Sequence, residues 1–359
     1  MNIQRPHRDI HQIIVEECDR HREFAVATVL KAEGSTPCKA GGKAIIDAGG
    51  AIQGTIGGGA VEARAQGLGV EAIQTGRPLV FDFDLEGNTI SNENPICGGM
   101  MRVLIDPTAA SHRAVYAAAS EARQRRERGL LLTTIRGAKE PAVEVRFLTE
   151  REIPSAVGFP HARNIRSALG REETELFVRE TSPEGQRLAV LVEPIIPRPL
   201  LLIIGGGHIG QALAQQADLV GFDLLVIDDR KEFTAVELFP DGATTRCGQI
   251  DVEIDRLSIG GDTYIVIVTR GHRHDATALA ACLDKPAAYL GMIGSRRKVS
   301  LMRKEFIESG RTTAAEFNRV YAPIGLDIGA VTVPEIASSI TAQLIAVRRK
   351  GASPRIPGI

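Results

Sequence analysis

The sequence predicts an α/β fold, with a doubly wound parallel sheet in its C-terminal half and an α+β mixed-sheet domain before it. Three observations predict it. Leu200 to Ile204 is a continuous apolar run, as a parallel strand buried on both faces requires, and it ends in Gly205-Gly206-Gly207. A helical pattern with apolar Ile209, Ala212, Leu213, Ala217 and Val220 follows, and a second strand, Asp223 to Ile227, delivers Asp228 about 20 residues beyond the glycines. Upstream, Glu193-Pro-Ile-Ile-Pro-Arg-Pro199 sets three prolines within six residues, which interrupts helix and central strand alike and reads as a linker. The predicted organisation is a domain over residues 1–192, a linker over 193–199 and a Rossmann-like nucleotide- or cofactor-binding domain over 200–350.

In the first domain, residues 7 to 22 place Ile10, Ile14 and Val15 at amphipathic-helix spacing, and Phe24 to Leu30 reads as a strand. Cys18 on that helix reads as a buried structural thiol. Glu33 to Gly42 is a loop dense in glycine and hydroxyls, with Ser35 and Thr36 as candidate ligand contacts or plain turn residues. Lys43 to Asp47 and Ala51 to Ile56 form a hairpin, and the chain then enters Gly57-Gly58-Gly59 ahead of a helix from Ala60 to Thr75. Such a strand, glycine turn and helix can bind an anion through backbone N–H groups. Glu62, in the first helical turn, either complements the helix dipole or accepts hydrogen bonds from the ring N–H groups of a heterocycle.

Leu79 to Leu85 and Met101 to Ile105 read as strands on either side of a polar loop that ends in Pro95-Ile-Cys97-Gly-Gly. Cys97 is the candidate thiol of the chain. Two glycines leave its surroundings open, and nearby N–H groups can help it ionise, carry a persulfide or meet a soft metal; the alternative is an inert cysteine in a glycine turn. A helix over Ser111 to Arg128 and strands at Leu130 to Ile135, Val143 to Leu148, Glu175 to Arg179 and Leu188 to Val192 complete the domain.

In the second domain each glycine has its own task. Gly205 permits the tight turn, Gly207 lets backbone amides approach a pyrophosphate, Gly210 lets helix and strand pack closely, and Asp228 is placed for a ribose hydroxyl. His208 stands where the anion would lie, as a donor to it or as a plain helix start. Tyr264 to Val268 is another strand, ending in Thr269-Arg-Gly-His272-Arg-His274-Asp275, a loop placed to face the ligand crevice. Two histidines at i and i+2 in a loop make weak metal ligands without a third. Ala287 to Ile293 runs into Gly294-Ser295-Arg296-Arg297-Lys298, a hydroxyl and three cations ahead of a helix, which suits a phosphate. Thr332 and Glu335 have capping-box spacing before a last helix whose Ile336, Ala337, Ile340, Leu344 and Val347 share one face.

Composition narrows the classes. With 359 residues, 43% hydrophobic and 24% charged content and a formal net charge of -1, the chain is globular, and nothing in its charge calls for nucleic acid. It shows no apolar run of bilayer-spanning length and no signal-peptide core, so the expected location is cytoplasmic, without a membrane partner. Five widely spaced cysteines argue against a disulfide framework and a local zinc pattern.

Gly34-Ser-Thr-Pro37, Gly54-Thr-Ile-Gly-Gly-Gly-Ala-Val-Glu62, Cys97-Gly-Gly99, Gly205-Gly-Gly-His-Ile-Gly210, Gly271-His-Arg-His-Asp275, Gly291-Met-Ile-Gly-Ser-Arg-Arg297 and Pro323-Ile-Gly-Leu-Asp-Ile-Gly329 occur in this order. Together they resemble the xanthine dehydrogenase accessory (XdhC/CoxI) family across almost the whole chain. The resemblance implies a chaperone that binds the molybdenum cofactor (molybdopterin, with the nucleotide form open) and supports exchange of an oxo for a sulfido ligand. It further implies delivery to a xanthine dehydrogenase-type molybdoenzyme, a cysteine desulfurase-type sulfur donor as a second partner, and room for a homodimer. On this reading the phosphate tail goes to Gly205–Gly210 or Ser295–Lys298, the heterocycle to Glu62 and the metal end to Cys97. The residues leave two other functions open: an NAD(P)-dependent oxidoreductase with His272 or His274 as acid/base, which lacks a convincing hydride-transfer constellation, and a nucleotide-sensing scaffold.

Overall fold

Apolar runs flanked by glycine turns become strands in both halves of the chain. The computed structural model describes residues 9–85, 99–137, 140–153, 162–180 and 187–351, and the chain divides into two units, Met1–Pro197 and Arg198–Ile359. No helix among the described residues is long and apolar enough to cross a membrane.

The first unit opens with α1 (Ile10–Asp19), β1 (Phe24–Gly34), β2 (Lys43–Asp47), β3 (Ile52–Gly54), α2 (Gly59–Thr75), β4 (Leu79–Asp84), β5 (Gly99–Asp106) and α3 (Arg113–Gln124). It continues with β6 (Gly129–Arg136), β7 (Ala142–Thr149), α4 (Ala162–Arg171), β8 (Glu175–Glu180) and β9 (Arg187–Ile195). Its strands make two sheets, ordered β3-β2-β1-β5-β4 and β7-β6-β9-β8, in which every pairing is antiparallel. Alternation along β1 decides the layers: Ala25, Ala27 and Val29 pack with Val61, Ala65 and Ala72 of α2, while Phe24 and Val26 pack with Ile14 of α1, Ala119 of α3 and Leu131 of β6. The far face of the second sheet, with Leu130, Leu132, Val190 and Val192, is covered by Ile165, Ala168 and Leu169 of α4. A buried Lys43–Glu193 ion pair joins β2 to β9.

One boundary differs from expectation. β9 runs through Glu193 and Pro194 to Ile195, so the linker expected over 193–199 begins inside a strand. β8 pairs with β9 only as far as Val192, whereas β6 still pairs at Pro194; β9 is an edge strand there, where a missing N–H is tolerated.

The second unit contains β10 (Leu200–Ile204), α5 (His208–Leu219), β11 (Asp223–Asp228), β12 (Thr244–Cys247), α6 (Ile250–Asp255), β13 (Thr263–Ile267), α7 (His272–Cys282), β14 (Tyr289–Met292), α8 (Arg296–Glu308), α9 (Ala314–Phe317) and α10 (Val333–Lys350). Its five strands form one parallel sheet, ordered β12-β11-β10-β13-β14, so strand order reverses between β10 and β13. Both faces are buried. Leu201, Ile203, Val226 and Val266 point to α5 and α10, and Leu202, Ile204, Ile227 and Ile267 point to α6, α7 and α8, which makes the sheet doubly wound.

Candidate functional site

In an open parallel sheet the ligand crevice lies beyond the carboxyl ends of the strands, where the order reverses. Here that place is bounded by the β10–α5 turn, the end of β11 and the segments that follow β13 and β14. Gly205 has a φ of +113°, and a Cβ there would sit 2.5 Å from the Val268 carbonyl oxygen. Gly210 is equally constrained, since a Cβ would lie 2.0 Å from the Gly205 carbonyl oxygen. Gly207 is different: it is the N-cap of α5, and a Cβ would meet nothing within 4 Å. Open space thus faces a helix N-terminus, with exposed His208 as the first helical residue.

Asp228 was expected to meet a ribose. The structure places it 3% exposed, with its carboxylate accepting from the Gly206 N–H at 2.9 Å and from three donors of Arg230. Burial alone would raise its pKa, but the Arg230 guanidinium and the Gly206 and Arg230 N–H groups hold it below the usual carboxylate range.

The segment expected as a loop over His272–Asp275 is the first turn of α7, with Gly271 as an N-cap of extended conformation. Glycine carries no capping side chain, which hid the helix start. Two residues apart on a helix, His272 and His274 diverge, and each has its own neighbour: His272 Nε2 lies 3.8 Å from Glu305, and His274 Nε2 accepts from Arg270 Nε at 3.4 Å. Among the described residues no group of three His, Cys, Asp or Glu can hold a metal ion. Asp275 faces inward, fully buried, accepting from Thr269 Oγ1 at 2.5 Å and paired with Lys298 Nζ. Ser295 caps α8 by accepting from the Lys298 N–H at 3.3 Å, while Arg296 is 90% exposed and Arg297 is exposed. The cations of this segment therefore divide, Lys298 inward and the two arginines outward.

The first unit holds a second glycine turn. Gly57, Gly58 and Gly59 have φ values of +126°, +74° and +57°, and a Cβ at Gly58 or Gly59 would meet nothing within 4 Å. Gly57 packs on Pro37, where a Cβ would come 2.6 Å from the ring. Glu62 organises this turn: its Oε1 accepts from Thr55 Oγ1 at 2.7 Å, Gly58 N–H at 2.9 Å and Ile56 N–H at 3.0 Å. Burial opposes its ionisation, yet these bonds lower its pKa. Ser35 is exposed, Thr36 Oγ1 donates to the Cys38 carbonyl at 3.1 Å, and Gly99 packs against both residues. Cys38 is half-buried beside the turn, and burial pushes its thiol pKa up, a feature the sequence signalled only as a thiol in a glycine-rich loop. Cys97 lies outside the described residues. Cys18 is half-buried, and Cys282 is buried with its pKa pushed up to about 12, as inert thiols are.

Residues 201–344 match the XdhC Rossmann domain, and residues 18–84 match the XdhC and CoxI family. The chain is 27% identical over 326 residues to the uncharacterized protein YqeB of Escherichia coli (strain K12), an alignment that takes in 90% of this chain but 43% of that protein. It therefore spans less than half the length of this relative. It is 25% identical over 348 residues to a probable xanthine dehydrogenase subunit of Bacillus subtilis (strain 168), covering 95% of this chain and 98% of that one. A crystal structure from Bacillus halodurans, described as a xanthine dehydrogenase, shares the fold with a TM-score of 0.71 at 21% identity, over 97% of this chain and 98% of that one.

Proposed function

We propose that this chain, which belongs to the XdhC and CoxI family, binds the molybdenum cofactor, supports its sulfuration and delivers it to a xanthine dehydrogenase-type molybdenum hydroxylase. The observation that carries the proposal is the β10–α5 turn, where Gly207 leaves open space against the N-terminus of a 12-residue helix at the reversal of strand order.

The residues present fit the group. A phosphate suits the N–H groups at the start of α5, where His208 is exposed; Arg296 and Arg297, at the start of α8, are two further exposed cations. In the first unit Gly58 and Gly59 leave room that side chains would fill, beside Glu62, which accepts from the Gly58 N–H; Ser35 and Thr36, in the loop whose Pro37 packs on Gly57, add hydroxyls of the kind a pterin ring uses. When bound, the cofactor supplies a soft metal centre that can exchange an oxo for a sulfido ligand. In the second unit the start of α5 binds a phosphate; in the first unit Glu62 accepts from the N–H groups of a heterocycle, and Cys97 is the thiol we propose for the metal end.

The test is activation of a cofactor-free molybdenum hydroxylase of the xanthine dehydrogenase type, with a cysteine desulfurase-type donor supplying sulfur. Activity is expected to rise with the added chain, and Cys97→Ser is expected to lower that rise. Equal activation with and without the chain contradicts the proposal.

A further inference from the structure

In dinucleotide-binding folds the acid at the end of the second strand holds the nucleoside ribose. In this chain that place is already filled. Asp228 accepts four hydrogen bonds: Oδ1 from the Arg230 backbone N–H at 3.0 Å and Nε at 2.9 Å, and Oδ2 from the Gly206 N–H at 2.9 Å and Arg230 Nη2 at 3.1 Å. An ionised carboxylate offers about four lone-pair sites, so a ribose diol finds none open.

The guanidinium on Asp228 is itself held. Its carbon lies 3.7 Å from the centroid of the Phe233 ring, a cation–π contact that fixes the plane of the fork. The 3-10 turn that carries Phe233, Lys231–Phe233, sits on the glycine turn, since a Cβ at Gly206 would come 2.0 Å from the Phe233 carbonyl oxygen. The next acid, Asp229, is engaged by Arg270 Nη2 at 2.9 Å from the segment after β13. The end of β11 is thus covered by the chain's own side chains, while the space at Gly207 stays open.

We infer that Arg230 is a specificity residue, which occupies the ribose subsite above β11 and shuts the nucleoside end of a dinucleotide out of the crevice. The glycine turn then serves a ligand that brings a phosphate without a nucleoside at that position. The second statement rests on the phosphate-binding role proposed above for the turn; the first rests on the geometry of Asp228 and Arg230.

Calorimetric titration of the full chain with ADP-ribose and, separately, with inorganic pyrophosphate tests both. The wild type is expected to bind pyrophosphate and to bind ADP-ribose no more tightly. Arg230→Met keeps an apolar stem over Phe233 but removes the fork, leaving Asp228 its two backbone partners and two open sites. It is expected to gain about tenfold or more in ADP-ribose affinity with pyrophosphate affinity unchanged, and adding Asp228→Asn is expected to remove the gain. Arg230→Ala serves as the second variant, with circular dichroism as the check on folding. A wild type that binds ADP-ribose more tightly than pyrophosphate and loses that advantage in Asp228→Asn overturns the inference. So does pyrophosphate binding with no ADP-ribose gain in either folded Arg230 variant. A gain in ADP-ribose affinity without any pyrophosphate binding upholds the exclusion and overturns the phosphate role of the turn.

Discussion

Asp275 at the start of α7 is fully buried and has Lys298 at the start of α8 as its counter-ion. The pair joins two helices that follow neighbouring strands, β13 and β14. It therefore fixes the spacing of the segments that carry His272, His274 and Ser295 at the ligand-facing end of the sheet.

Lys298→Met leaves a buried carboxylate with Thr269 as its remaining side-chain partner, and breaking such a pair costs about 3–5 kcal/mol. Urea unfolding is expected to show a loss of that order, with Lys298→Arg losing less. Wild-type stability in Lys298→Met would mean that the two helix starts are held by packing alone.

Two neighbouring glycines are expected to respond in opposite ways. Gly210→Ala drives a methyl into the Gly205 carbonyl, and overpacking of this kind costs about 1–3 kcal/mol. Gly207→Ala has an ordinary φ of -70° and open space, so its stability is expected within about 0.5 kcal/mol of wild type. Its methyl stands where a phosphate would approach, so pyrophosphate affinity is expected to fall by about tenfold in calorimetry. Equal affinity in Gly207→Ala would move the anion away from this turn.

Glu62→Ala removes the acceptor of three hydrogen bonds at the Thr55–Gly58 turn. Bonds to an ionised acceptor contribute about 1.5–3 kcal/mol each at most, and N–H groups freed at a half-exposed turn recover part of that from water. A loss of about 1–3 kcal/mol in urea unfolding is expected. Glu62→Gln, which keeps a carbonyl acceptor, is expected to lose less, and an equal loss would point to charge rather than to these bonds.

Asp9 gives the fold an acid dependence. Burial would raise its pKa, but hydrogen bonding to His11 at 3.0 Å and the charge of Arg123 at 3.2 Å hold it well below the usual range. A carboxyl whose folded pKa is lowered stabilises the fold above its unfolded pKa of about 3.9, and that contribution fades as pH falls from there toward the folded pKa. The stability difference between wild type and Asp9→Asn is therefore expected to be constant near neutrality and to shrink below about pH 4. A difference that stays flat to pH 3 would contradict the coupling.

The parts legible in the sequence are those fixed by local rules. Buried parallel strands need continuous apolar runs, so β10, β11 and β13 stood out, and the positive φ of Gly205 can be met comfortably by glycine alone. The Thr332–Glu335 capping box is present as its spacing predicted. By contrast β12, four residues at the sheet edge reading Thr-Thr-Arg-Cys, carries no apolar run to reveal it. α4 did leave a signal, since Ile165, Ala168 and Leu169 repeat at helical spacing.

For the candidate site residues the sequence displays type and position along the chain but not the partners the fold gives them. Asp228 and Asp275 stand at strand and helix ends where acids meet ligands, yet the fold turns both toward the chain's own cations, Arg230 and Lys298. Such pairings depend on rotamers and on residues up to 23 positions away, which periodicity does not encode.

The central claim is tested most directly by anaerobic incubation of the purified chain with molybdenum cofactor, followed by mass spectrometry of the retained ligand. The account expects one cofactor retained per chain, displaced by excess pyrophosphate and held more weakly by Gly207→Ala. Retention of NAD(P) or another nucleotide alone, with no pterin bound, would contradict it.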